Sequence, residues 1–275
     1  MLTRISITPS RFLAILILAL VVSIAPAHAQ TKPKILALPD SNPASAIFIG
    51  NSFFYYNNGI VSHIRGMMGA ETSPRRFRST MATIGGAGFD WHDVESYFRP
   101  GAIGRYSFDR NNNVVMNDPK QKLFDVAILM DCSVCSVHPD LKGVFTDYAK
   151  KHTDTVRRHG AVPVLFMSWA FQDKPEMTAA LAEAYTKAGN DNDTLVIPAG
   201  LAFARALAER PGLSLHAKDK RHPSLAGTIL AAATTYATLF GRSPVGLTYD
   251  TEINAEEITF LQTVAWAATQ AYFKP

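Results

Sequence analysis

The chain has little of what most kinds of protein chemistry require. Its 275 residues include two cysteines, Cys132 and Cys135, so there is no disulfide framework and no cysteine-rich ligand set. The pair has C-x-x-C spacing, but the flanking Ser133-Val134 and Ser136-Val137 read as a loop leaving a strand. A thioredoxin-like pair would instead open a helix in a βαβ unit, so a structural bridge or two idle thiols is the expectation. No group of His, Cys and acidic residues has metal-ligand spacing, and no phosphate-cradling glycine loop is present, so neither a metal nor a cofactor is expected. Internal repeats and low-complexity blocks are absent, which excludes solenoids and disordered tails. Charged residues make up 18% of the chain and the formal charge is +4, too small an excess to imply a nucleic-acid partner.

A membrane-spanning run is missing too. The longest apolar stretch, residues 12–25, is about 14 residues, below the ~20 that cross a bilayer. Arg4 and Arg11 precede or open it and Ala27-His28-Ala29 follows it, which is the layout of a secretory signal with an A-x-A cleavage site. We read residues 1–29 as a removed signal peptide, 30–44 as a lead rich in proline (Pro33, Pro39, Pro43), and 45–275 as one domain. Export to the periplasm or the exterior is expected, with no stable membrane insertion after cleavage. Without the leader the balance is 25 basic against 23 acidic residues, a charge of +2.

In the remaining residues, short β-type runs at 46–49, 76–82, 126–129, 162–167 and 195–198 alternate with helical patterns at 60–68, 90–98, 141–158, 176–188 and 201–208. Such alternation predicts an α/β fold with a parallel sheet covered on both faces. Residues 224–240 form the best-marked helix, with Pro223 in its first turn, Gly241 just past its end and Pro244 beyond. A last helix spans 255–272. Residues 99–122 are polar and rich in Asn and Gly, and read as a long loop over one end of the sheet.

Asp219-Lys220-Arg221-His222-Pro223-Ser224 places a carboxylate and an imidazole one turn apart before that helix. Asp219 can accept from one ring nitrogen of His222 and leave the other to take a proton from a hydroxyl. Gly50-Asn51-Ser52 follows the apolar run 45–49 and puts Ser52 at a strand's carboxyl end, where open α/β sheets build their sites. Taken singly, Ser52 reads better as a helix cap, and Asp219 with His222 as a solvated loop; taken together, the three read as a nucleophile with its base and orienter.

Three blocks, Phe48-Ile49-Gly50-Asn51-Ser52-Phe53-Phe54-Tyr55-Tyr56-Asn57, then Gly85-Gly86-Ala87-Gly88-Phe89-Asp90-Trp91-His92, then Asp219 to Ser224, come in the order seen in the SGNH, or GDSL-like, hydrolase superfamily. The chain resembles that superfamily from about Ala46 to Pro244, and most of all an exported bacterial branch with a Gly-Asn-Ser nucleophile block. The resemblance implies a single three-layer α/β/α, flavodoxin-like domain with a five-stranded parallel sheet in the order 2-1-3-4-5. It implies an ester hydrolase in which Ser52 attacks, His222 is general base and acid, and Asp219 orients the imidazole. The amides of Ser52 and Gly86 are the implied oxyanion donors, Gly86 being preferred over Gly85. One departure stands out. The superfamily's third donor, an asparagine after the central strand, has no counterpart in Leu129-Met130-Asp131-Cys132-Ser133, which leaves Ser133, Asn51, another group, or a hole of two donors. His92 and Trp169 are further candidates for lining the substrate site, Trp169 as a stacking surface for a sugar, each weighed against an ordinary core position. The expected substrate is a small-molecule or carbohydrate ester, short acyl groups on a sugar being the family's suggestion. The rival reading is a weakly active or inactive carbohydrate-binding or cell-envelope protein on the same scaffold.

Overall fold

The computed structural model describes residues 31–99, 101–103, 106–116, 118 and 122–274; the expected signal peptide lies outside them. Five strands pair in parallel: β1 (Ser45–Gly50), β2 (Arg78–Thr83), β5 (Val126–Leu129), β6 (Val162–Phe166) and β7 (Leu195–Ile197). Their order across the sheet is β2-β1-β5-β6-β7. β1 is therefore an interior strand, next to the central β5, with Ile47 between Thr80 and Ala127. Neighbouring residues of each strand face opposite sides, and every residue of β1, β5 and β7 is buried.

Two separate cores result. Phe48, Ile128, Val164, Phe166 and Ile197 face one layer, made of α2 (Ile60–Gly69), α6 (Ala199–Glu209), α7 (Leu225–Phe240) and α8 (Ala255–Phe273). Ile47, Ile49, Leu129, Leu165 and Val196 face the other, where α4 (Lys142–Arg158) and α5 (Met177–Asp191) pack. A continuous apolar strand is what burial on both faces demands. The fold is the three-layer α/β/α arrangement expected, with the lead lying alongside α5: Thr31 Oγ1 donates to Glu183 Oε1 (2.6 Å) and the Lys34 amide to Asn190 Oδ1 (2.7 Å).

Three local readings change. Residues 90–98 are not one helix. A single 3-10 turn at Phe89–Trp91 is followed by α3 (Val94–Tyr97), which is restarted by Asp93, whose carboxylate accepts from the Ser96 amide. The polar loop at 99–122 contains an antiparallel hairpin, β3 (Tyr106–Phe108) with β4 (Val114–Met116). Its turn is closed by Asp109, whose side chain takes the Asn111 and Asn113 amides, a local signal that the Asn-rich composition concealed. Pro223 precedes the first turn of α7 instead of lying in it, since Ser224 is the cap and its hydroxyl accepts from the Gly227 amide at 3.1 Å. Among the described residues no helix is long and apolar enough to cross a membrane.

α7 is buried along all but its first residue. At Gly227 a Cβ would stand 2.2 Å from the Leu215 carbonyl oxygen. That backbone leads directly into the 216–223 loop. Gly227→Ala is expected to lower the midpoint of urea unfolding by the equivalent of about 1–3 kcal/mol, because the contact is with backbone that has no side-chain freedom to yield. An unchanged midpoint would mean that α7 is free to slide outward.

Candidate active site

Gly50 ends β1 at its carboxyl edge. A Cβ there would meet the Phe54 ring at 3.0 Å and Met130 Cβ at 3.1 Å, so glycine alone lets the chain turn so closely under the next helix. Asn51 follows in extended backbone and caps α1 (Ser52–Tyr55), its Oδ1 accepting from the Phe53 amide at 3.2 Å. Its Nδ2 donates to the Ala87 carbonyl (3.0 Å) and the Asp131 carbonyl (3.1 Å). Both amide hydrogens are thus committed to backbone, and Asn51 is no oxyanion donor. Ser52 comes at the first position of α1, where main-chain N–H groups have no partner within the helix.

The second segment is held from several sides. Asp219 Oδ1 accepts from the amides of Arg221 and His222, both at 3.0 Å, while Lys220 takes a left-handed conformation at φ 66°. Asp219 Oδ2 accepts from His222 Nδ1. The loop is pinned by the Gln172 amide on the Lys220 carbonyl (2.9 Å), Trp169 Nε1 on the Arg221 carbonyl (3.0 Å) and Asn57 Nδ2 on the Pro223 carbonyl (3.0 Å). These contacts bring His222 Nε2 to 2.8 Å from Ser52 Oγ. The serine is buried and the imidazole partly buried. With Nδ1–H facing the carboxylate, Nε2 is the nitrogen that accepts from the serine hydroxyl. The hydrogen bond from His222 is the first cause, and the two backbone amides further causes, of an Asp219 pKa lowered to about 2.

The third segment supplies a turn. Ile84 to Ala87 closes by the Ala87 amide on the Ile84 carbonyl (3.1 Å), with Gly86 at φ 75°, the conformation that this turn position reserves for glycine. Gly85 and Gly86 are exposed, and the turn is tied to β1 by the Ile84 amide on the Gly50 carbonyl (3.0 Å).

No family model matches the chain, and no curated protein matches it. Solved structures do. A DUF4886 family protein from Bacteroides uniformis is 19% identical with a TM-score of 0.55, over 82% of this chain and 93% of that one. An acetylxylan esterase from Geobacillus stearothermophilus is 15% identical with a TM-score of 0.52, over 74% and 96%. TesA is 14% identical with a TM-score of 0.51, over 71% and 97%. The chain has the SGNH hydrolase fold.

On this SGNH scaffold the structure reassigns two residues read as substrate-facing. His92 is buried, with Nε2 donating to the Gly50 carbonyl and Nδ1 accepting from the Tyr97 hydroxyl, each at 3.0 Å. Burial pushes its pKa down, so it is a neutral strut under the nucleophile turn. Trp169 is fully buried between Phe53 (centroids 4.6 Å, planes 8° apart) and Phe203 (4.2 Å, 3°). Neither face of the indole is open to a sugar.

Tyr56 and Asn57 were missed by sequence reasoning, although both stand in the nucleophile block. Tyr56 lies flat on the His222 imidazole (4.2 Å, 10°) and Phe53 meets the same ring edge-on. The only signal was an aromatic run directly after the serine. Cys132 and Cys135 form a disulfide. Asp131, at the position where the superfamily places a donor, points its Oδ1 at the Phe89 amide (2.6 Å) under the glycine turn. Burial raises its pKa to about 6.

That shift has a definite sign. The folded state holds Asp131's proton more tightly than the unfolded chain, so its contribution favours folding at low pH and is lost as pH rises from about 4 to about 6. Asp131→Asn keeps an acceptor for Phe89 and removes the buried charge. The variant is expected to gain on the parent across that interval, by up to about 3 kcal/mol. Urea unfolding of both proteins at several pH values measures this, and parallel curves would refute it.

Proposed function

We propose that the protein is an exported serine esterase that cleaves its substrate through an acyl-serine intermediate. The observation carrying this reading is the unbroken line from Ser52 Oγ to His222 Nε2 at 2.8 Å and on through Nδ1 to Asp219. His222 takes the hydroxyl proton as Ser52 Oγ bonds to the ester carbonyl carbon. The negative oxygen is met by the amides of Ser52 and Gly86. Collapse breaks the ester bond, and His222 returns the proton to the departing alcohol. Water then repeats the sequence: His222 takes its proton, hydroxide attacks the acyl group, and Ser52 leaves with a hydrogen again. Asp219 stays ionised throughout, holding the tautomer and stabilising the imidazolium.

Short acyl groups on a carbohydrate are the substrate class we favour. One of the similar folds is an acetylxylan esterase, and the exposed rings Tyr55 and Trp91 lie on the two segments that carry the nucleophile and the glycine turn. The spent amide of Asn51 favours a second reading, a carbohydrate-binding protein of low activity, because losing one oxyanion donor lowers turnover by about 10²–10³.

A fluorophosphonate probe read by intact mass separates the two readings. The parent is expected to gain one adduct and Ser52→Ala none. Failure of the parent to label, together with failure to hydrolyse aryl acetates, would leave the binding reading. Asp219→Asn is expected to fold and to lose up to about 10⁴ in kcat, since an amide can hold the wrong imidazole tautomer. Tyr56 generates a separate expectation: Tyr56→Ala should lower kcat by about 2- to 10-fold with KM little changed, and Tyr56→Phe should retain the parental rate, because the stacked ring and not the hydroxyl restrains the imidazole. Equal losses in both variants would assign the effect to the hydroxyl.

A further inference from the structure

Among the described residues, the β3–β4 hairpin carries an exposed apolar face. Tyr106 pairs with Met116 and Phe108 with Val114 across the two strands, so the four side chains share one side of the ribbon. They are exposed by 56%, 53%, 63% and 58% respectively, where an ordinary surface strand would alternate with polar residues. The Tyr106 and Phe108 rings meet edge to face at 5.8 Å. We propose that this hairpin docks the protein on an anionic phospholipid surface.

Charge selects that occupant. Residues 99–122 contain five Lys and Arg against two acids; Lys122 is paired with Asp125 at 3.1 Å, and the other four leave a net +2. Of these acids, Asp109 is occupied inside the turn by the Asn111 and Asn113 amides and the Asn113 side chain. Arg110 stands exposed at the tip and Arg99 exposed at the base. Aromatic and aliphatic side chains flanked by cations are the combination that enters the headgroup layer, the apolar part by burial and the basic part by attraction to anionic lipid. A second copy of the chain fits less well, because four side chains fall well short of the ~800 Å² per partner of a stable interface.

Position supports the same reading. Arg78 at the start of β2 donates to the Leu123 carbonyl (2.7 Å), and Phe98 stacks on His159 at the end of α4 (5.3 Å) and meets Phe124. Both roots of the hairpin therefore sit at the amino ends of the strands, opposite Ser52. Docking there leaves the nucleophile end facing away from the surface. This inference is independent of the reaction proposed above.

Flotation of the purified full chain with vesicles tests it. The parent is expected to float with phosphatidylglycerol–phosphatidylcholine vesicles at low ionic strength, and much less with pure phosphatidylcholine or at ~0.5 M salt. Tyr106→Ser with Phe108→Ser should weaken binding at least ten-fold. Arg110→Glu, which leaves the apolar face intact, should weaken it by about 30-fold, since it changes the charge by two. Any contribution of the apolar run at 12–25 is common to all variants, so the differences read the hairpin alone. Circular dichroism and fluorophosphonate labelling should be unchanged in both variants. Equal flotation of parent and variants overturns the proposal, as does indifference to lipid charge. Salt-sensitive binding that survives the serine replacements would reveal a plain polyanion contact, and a parental dimer that the serine replacements dissociate would make the face a self-association surface; either result also overturns it.

Discussion

Asn51 is the point at which three separate loops become one site. Its side chain accepts from the Phe53 amide and donates to the carbonyls of Ala87 and Asp131, so one buried amide joins the nucleophile turn, the glycine turn and the loop after β5. A carboxylate could not do this, because it would face two carbonyl oxygens with no hydrogen to offer. That accounts physically for Asn in the nucleophile block. Both amide hydrogens are committed to backbone carbonyls and are not free for any other acceptor. Unsatisfied, such a group would cost about 1–3 kcal/mol in the interior; satisfied, it locks the spacing between Ser52 and the Gly85–Gly86 turn.

The acids and imidazoles around the site have been driven in opposite directions by their surroundings. Asp219 is exposed and held ionised by three donors, whereas Asp131 is buried and its charge is disfavoured. His63, His92, His152 and His216 are all pushed down by burial and each bonds a backbone carbonyl. They act as neutral beams between loops. Among the described histidines, His222 alone has its ring between a carboxylate and a serine hydroxyl.

Rigidity behind that line comes from packing. Trp169 is clamped between Phe53 and Phe203, and its N–H holds the Arg221 carbonyl. Phe53, next to Ser52, and Arg221, next to His222, are thereby fixed to one aromatic stack. α7 anchors the other side of the loop through the close approach of Gly227 to Leu215. A displacement in either place would lengthen a 2.8 Å contact that leaves little tolerance.

The strands and most helices were legible in the chain because burial on both faces forces uninterrupted apolar runs, and the caps and turns of α7 use residue types with few alternatives. Ser52, Asp219 and His222 could be singled out because a nucleophile at a strand end and an acid three residues before a histidine are local patterns. The hairpin at 106–116 was not legible, since its stability rests on one Asp109 turn and not on an apolar alternation facing a core. The sequence by itself determined which residues have the chemistry to attack, to move a proton and to close tight turns, because those are properties of side chains and of short-range backbone sterics. Only the tertiary structure decided that Asn51, His92 and Trp169 are spent inside the scaffold while Tyr56 lies on the imidazole, because which face of a ring or which hydrogen of an amide stays free depends on neighbours that lie up to 166 residues away in the chain.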